Sequence, residues 1–185
     1  MLMLDLCSGL GGASQAMRDR GWRVVRVDID PQYKPDIVAD ITTCSYCGPT
    51  PTLVWASPPC RGFSRHSMPW LRPAKEPDLS IVMACKRIIN ESRPMWWVVE
   101  NVRGAVPFLM SFLGRPSKII NPYYLWGNFP PFEVDRARIK NKERLSSTQA
   151  AQRALIPYEI SEKLALACEQ QLPLLLGLEG GDATE

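Results

Sequence analysis

A cysteine that follows two prolines at the end of an apolar run is placed to act as a nucleophile. In Trp55-Ala56-Ser57-Pro58-Pro59-Cys60-Arg61-Gly62-Phe63-Ser64 the prolines lack an amide proton and fix φ. A strand that reaches them cannot continue its ladder, so the next residue, Cys60, projects from the sheet rim. A second apolar run ends in Glu100-Asn101-Val102, which brings a carboxyl group to the same cleft. Sulfur attack on an electron-poor ring, with a nearby carboxyl supplying a proton, is nucleophilic plus general acid catalysis. An ordinary thiol is only about 3% ionised at pH 7, so a cation such as Arg61 or Arg65, or a helix dipole, would assist it.

The elements that must hold these residues alternate between strand and helix. Met1 to Leu6 reads as a buried strand, followed by the turn Cys7-Ser8-Gly9-Leu10-Gly11-Gly12 and a helix through about Arg20 that Gly21 ends. Arg23 to Val27 is a second strand ending in Asp28-Ile29-Asp30-Pro31, and Asp36 to Ala39 a third ending at Asp40. Leu53 to Ala56, the fourth, feeds Pro58-Pro59-Cys60. Leu79 to Ser92 carries Ile81, Val82, Ala84, Cys85, Ile88 and Ile89 at helical period, and Met95 to Val99 is a fifth strand. Further on, Ala105 to Leu113 reads as a helix, Lys118 to Leu125 as a strand and Tyr158 to Leu172 as a helix; Gly127 to Arg144 has no clear assignment. This order predicts an α/β fold with an open, doubly wound, mostly parallel sheet, ligands binding beyond the carboxyl ends of the strands. With 185 residues the chain has room for one core, expected over 1–176, with 177–185 as a disordered tail.

A glycine-rich turn between strand and helix lets a ligand approach the backbone and meet unpaired amides, but alone it is equally a tight turn. Asp28 strengthens the ligand reading. An acid ending the second strand can accept from two ribose hydroxyls, Ile29 can cover an adenine face, and Asp40 can accept from an adenine amino group. The pattern is an adenosine-binding rim without a phosphate clamp.

Net charge is only +3, so its distribution carries more information than its sum. Arg61, Arg65, Arg72 and Lys75 form one basic run without an acid, and Arg136, Arg138, Lys140, Lys142 and Arg144 form another against Glu143 alone. Either run can hold phosphates or be a solvated loop. The apolar stretches are too short to span a membrane, and no leader segment is visible. Six cysteines without a regular framework fit a reducing compartment, so the cytoplasm is expected. Cys44-x-x-Cys47 has no second pair and His66 is the single histidine, which favours a surface loop over a metal site.

In order along the chain, Asp5 to Gly12, Asp28-Ile29-Asp30, Asp40-Ile41, Pro58-Pro59-Cys60-x-x-Phe63-Ser64 and Glu100-Asn101-Val102 resemble the DNA (cytosine-5) methyltransferase family. The resemblance implies a Rossmann-like methyltransferase fold with S-adenosyl-L-methionine as cofactor. It would be held by Asp5, Cys7, Ser8, Gly9, Leu10 and Gly12, by Asp28, Ile29, Asp40 and Ile41, and by Ser57, Pro58 and Ile81. Cys60, Pro59, Glu100 and Asn101 would be catalytic: Cys60 adds to cytosine C6, Glu100 holds N3 and N4 and protonates N3, and C5 takes the methyl group. The implied partner is DNA with the target cytosine flipped out of the duplex, contacted by Arg61, Ser64, Arg65, Arg136 and Arg138. The expected setting is the nucleoid of a bacterial or virus-infected cell, in restriction-modification or viral modification, with no membrane or metal partner.

The chain departs from the family pattern at several points. Cys7 and Ile29 stand where aromatic residues are usual, and Arg136-Ala137-Arg138 keeps only the arginine spacing of a Gln-x-Arg-x-Arg motif. Arg153-Ala154-Leu155-Ile156-Pro157 and the following helix resemble a remnant that closes the cofactor pocket. Almost no room is left for a target-recognition domain, so a partner subunit or the segment from Tyr123 to Arg144 would read the target, or specificity is low. In that segment Tyr123, Tyr124, Trp126, Phe129 and Phe132 can either stack on bases or pack a small core. The same chemistry on RNA, a non-catalytic DNA-binding subunit, and one half of a split enzyme are the competing readings.

Overall fold

In a computed structural model, which describes residues 1–66, 76–135, 137, 152, 154–175 and 177, the chain builds one seven-stranded sheet. Its strands are β1 (Leu2–Leu6), β2 (Arg23–Asp28), β3 (Ile37–Val38), β4 (Leu53–Ala56), β5 (Trp96–Asn101), β6 (Lys118–Ile120) and β7 (Tyr123–Asn128). The helices are α1 (Gln15–Asp19), α2 (Arg61–His66), α3 (Ser80–Ser92), α4 (Val106–Leu113) and α5 (Tyr158–Leu175). Among the described residues, no helix is long and apolar enough to cross a membrane.

Strand order is β3-β2-β1-β4-β5-β7-β6, with β1 to β5 parallel and β7 antiparallel between β5 and β6. The chain runs outward from β1 to β3 and then crosses back to β4, so the order reverses between β1 and β4. Side chains beyond the carboxyl ends of these two strands diverge and leave a crevice.

Alternation along the central strands makes two apolar layers, because successive side chains leave a strand on opposite faces. Met3, Leu53, Trp55, Trp96 and Val98 meet Met17 of α1 and Ile160, Leu164 and Cys168 of α5. Leu4, Leu6, Val54, Ala56 and Val99 meet Phe63, Val82, Cys85, Ile89 and Leu109 of α2, α3 and α4.

Several expectations are corrected. Lys118 to Leu125 is two strands of a hairpin, since Pro122 offers no amide to a ladder and Asn121-Pro122 turns the chain. The segment after Cys60 begins as helix α2, in which the Ser64 amide donates to the Cys60 carbonyl at 2.9 Å. α1 starts only at Gln15, because Cys7, Gly9 and Gly11 all have positive φ and prolong the turn before it. Of the two readings left open for the aromatic group, core packing holds for Tyr123, Trp126 and Phe132, which are buried, and partly buried Phe129 packs on Phe132 at 6.0 Å. Arg72, Lys75, Arg136, Arg138, Lys140, Lys142, Arg144 and Arg153 lie outside the described residues, as does the tail beyond Gly177.

Candidate functional site

The crevice at the β1/β4 reversal holds a cavity of about 530 Å³. Its wall takes Asp5 from β1, Cys7, Ser8, Gly9, Leu10 and Gly12 from the glycine turn, and Asp28 and Ile29 from the end of β2. Asp40 and Ile41 follow β3, Ser57, Pro59, Cys60 and Arg61 follow β4, and Ile81 comes from α3. Every residue expected to hold the cofactor is in this wall except Pro58, which is buried beside it.

Asp28 builds much of the shape. Its Oδ2 accepts from the Gly9 amide at 2.8 Å and its Oδ1 from the Asp30 amide at 2.9 Å, so one carboxylate ties the glycine turn to the loop after β2. Each oxygen keeps a lone pair for a further donor. Ile29 is 65% exposed, an apolar surface free to be covered. At Asp40, Oδ1 accepts from the amide and the hydroxyl of Thr42 at 2.9 and 2.7 Å, and these bonds hold the carboxyl below its ordinary range.

Asp5 and Ser8 are buried polar residues in the wall with atoms left unmatched. Ser14 Oγ donates to Asp5 Oδ2 at 2.6 Å, whereas Asp5 Oδ1 and Ser8 Oγ have no partner among the described residues. Burial pushes the Asp5 carboxyl up to about 7, against the opposing pull of the Ser14 hydrogen bond and the Arg26 charge. Two orphaned buried oxygens on residues of one cavity wall are unmatched polar groups of the kind that a bound polar ligand or a water would satisfy. The Cys7 thiol is held well above its ordinary range, first by its hydrogen bond with Cys85 and then by burial.

The far end of the chain closes the cavity, as the remnant motif implied. Ala154, Leu155 and Ile156 line it, and a Cβ on Gly12 would meet the Ile156 carbonyl oxygen at 2.6 Å. Only glycine permits that approach.

Cys60, half-buried, stands at the cavity's edge where β4 gives way to α2. Asn101 fixes the preceding residues: its Nδ2 donates to the Pro58 carbonyl at 3.0 Å, and its Oδ1 accepts from the Val102 amide at 2.9 Å. The α2 helix lies against the 3-10 turn Arg103–Ala105, and Phe63 packs on Phe108 at 5.9 Å. Thus the Cys60 loop and the end of β5 are joined by both a buried hydrogen bond and apolar contact. Glu100, half-buried on β5, is outside the cavity wall, one strand over from the β4 loop, and its charge reaches Tyr123. Of the residues expected to meet DNA, Arg61 lines the cavity while Ser64 and Arg65 do not.

The C-5 cytosine-specific DNA methylase family matches residues 1–108, more than half of the chain. The chain belongs to this family. Among curated relatives, the Type II methyltransferase M.SacI of Streptomyces achromogenes is 37% identical over 57 residues, covering 29% of this chain and 14% of that protein. The solved Entamoeba histolytica methyltransferase EhMeth is 15% identical, with 79% of this chain and 57% of that chain covered at a TM-score of 0.46. For the S. pombe Dnmt2 methyltransferase the identity is 16%, the coverage 88% and 58%, and the TM-score 0.45. This DNA methylase family member therefore spans well under two thirds of the length of these relatives.

Ala13, Asp30, Tyr33 and Ala39 also line the cavity; of these only Asp30 belongs to a family motif, and none is among the residues expected to hold the cofactor. Asp30 carried a signal, the acid before Pro31 that caps the 3-10 turn Pro31–Tyr33 by accepting from the Gln32 amide. Ala13, Tyr33 and Ala39 carry none, being ordinary turn and strand-end residues.

Proposed function

We propose that this chain transfers a methyl group from S-adenosyl-L-methionine to C5 of cytosine in DNA. The observation that carries this reading is one cavity whose wall runs from the glycine turn and Asp28 to Cys60. Cofactor and nucleophile would then meet in a single chamber.

Asp28 would accept from ribose hydroxyls, Ile29 would cover the adenine, and Asp5 and Ser8 would match polar groups at the other end of the ligand. When bound, the cofactor supplies an electrophilic methyl group to receive the electron density that builds on C5. Cys60 sulfur forms a bond to C6 while Glu100 delivers a proton to N3, so the added electron pair is held as an enamine with C5 as its nucleophilic carbon. After methylation the C5 proton leaves to solvent, its bonding pair restores the C5–C6 double bond, the C6–S bond breaks to return the thiolate, and N3 gives its proton back to Glu100. Asn101 keeps Pro58 and hence Cys60 in place for both steps. Arg61, Arg65 and the second basic run would hold phosphates around a flipped base, since C6 is hidden inside a duplex.

The test is transfer of a labelled methyl group to cytosine-containing DNA and, in parallel, to RNA, by wild type and Cys60→Ala. The expected result is labelled DNA with wild type alone. Transfer to RNA only would move the substrate, undiminished transfer by Cys60→Ala would end the mechanism, and binding of DNA without turnover would favour a non-catalytic subunit.

A further inference from the structure

Arg26 lies in β2, in register with Asp5, and is buried at 9% exposure. Its Nη2 donates to the Gly9 and Tyr33 carbonyls, the latter at 3.0 Å, and its Nη1 to the Lys34 carbonyl at 3.4 Å. Gly9 and Lys34 have φ of 49° each, in the left-handed region. Left-handed backbone at Lys34 is unfavourable for a residue with a Cβ, so an outside bond there holds a conformation the chain would otherwise leave. The fit is close on another side as well. A Cβ at Gly11 would stand 2.9 Å from Nε and 3.0 Å from Cζ, so the guanidinium packs against that glycine.

Gly9 and Tyr33 are both in the cavity wall, on opposite sides of Asp28 in sequence. Among the described residues, Asp28 and Arg26 bridge the two turns, Asp28 through the Gly9 and Asp30 amides and the planar Arg26 fork through the Gly9 and Tyr33 carbonyls. Asp36 supports the strand beneath, its Oδ2 accepting from the Arg26 amide at 2.7 Å and from Arg18 Nη2 at 3.0 Å.

We infer that Arg26 is a positioning residue for the cofactor, clamping the glycine turn and the Pro31–Lys34 turn at a fixed separation so that both present their groups to one ligand. The inference rests on the cofactor reading above. Arginine suits the task because its rigid fork can reach carbonyls on two turns together, which the single ammonium of lysine cannot. The residue touches neither the reacting atoms nor the cavity itself, so its effect is on affinity.

The experiment is calorimetric binding of S-adenosylmethionine and S-adenosylhomocysteine to wild type, Arg26→Met and Arg26→Lys, with KM and kcat for methyl transfer. Arg20→Ala is the control, since Arg20 joins α1 to Glu169 of α5 away from the cavity. Expected for Arg26→Met is a loss of affinity of about tenfold or more, as for removal of one charged hydrogen bond, with a matching rise in cofactor KM. Arg26→Lys, which keeps the charge, should lie between and serves if the methionine variant does not fold. In both, kcat at saturating cofactor should stay within about twofold, and Arg20→Ala should bind as wild type does. Wild type that binds neither ligand would sink the cofactor reading. Wild type that binds, with unaltered affinity in both Arg26 variants, a fall in kcat alone, or an equal loss in Arg20→Ala, would overturn the role of Arg26 and leave that reading standing.

Discussion

Replacing Asp5 with asparagine should change how stability depends on pH, in a direction unusual for a carboxylate. Burial raises its pKa from 3.8 to about 7. The unfolded chain ionises at the ordinary value while the folded chain resists, so stability is lost as pH rises from about 4 to about 7 and is flat above. A shift of about 3 units at 1.36 kcal/mol each gives about 4 kcal/mol across that window. Asp40, Glu91 and Glu169 have lowered carboxyls and lose their contribution only as pH falls below their ordinary values, so the two windows separate. In Asp5→Asn the side-chain carbonyl can still accept from Ser14 Oγ, and nothing ionises. Urea unfolding of both proteins between pH 4 and pH 8 should therefore show the variant gaining on wild type by up to about 4 kcal/mol as pH rises. The same carboxylate should attract S-adenosylmethionine, cationic at sulfonium and ammonium, so its binding at pH 6.5 should release protons from wild type and not from the variant. A stability difference that stays constant across the range, within about 0.5 kcal/mol, would show that Asp5 is not the buried acid described here.

Gly12→Ala should cost about 1–3 kcal/mol and weaken cofactor binding in calorimetry, because the new Cβ meets the Ile156 backbone as well as the Leu155 side chain, and the backbone cannot turn away. Asn101→Ala leaves the Pro58 carbonyl and the Val102 amide without their partner; kcat should fall about tenfold to a hundredfold with cofactor KM unchanged, measured in steady-state transfer. Phe63→Ala empties a fully buried site against Phe108 and should lower unfolding free energy by about 3–5 kcal/mol in denaturant titration.

The central sheet and the cavity were legible because their signals are local. Apolar runs that end in Asp28, Asp40 or Pro58-Pro59 mark both where a strand stops and what its end presents, and parallel order then gathers those ends at one rim. The hairpin of β6 and β7 was read as one strand because Lys118 to Leu125 is apolar on both sides of Asn121-Pro122, and only the ladder shows the reversal. α2 was missed because Arg61 to His66 has too few residues to display a helical period. Arg26 was invisible for a different reason: a lone arginine in a strand reads as a solvent-facing residue, and the three carbonyls it meets belong to turns whose φ the sequence does not announce at Lys34. Glu100 lies near the end of β5, the strand beside β4, as its apolar run implies, and is half-buried outside the wall of the cofactor cavity.

The most direct measurement replaces the target cytosine by 5-fluorocytosine in a DNA duplex and incubates it with the protein and S-adenosylmethionine. Fluorine cannot leave C5 as a proton does, so expulsion of the thiol is blocked and the protein should remain covalently joined to methylated DNA. Peptide mass spectrometry should place that link on Cys60. An active wild-type enzyme that forms no such adduct, or forms it at another residue, would contradict the account.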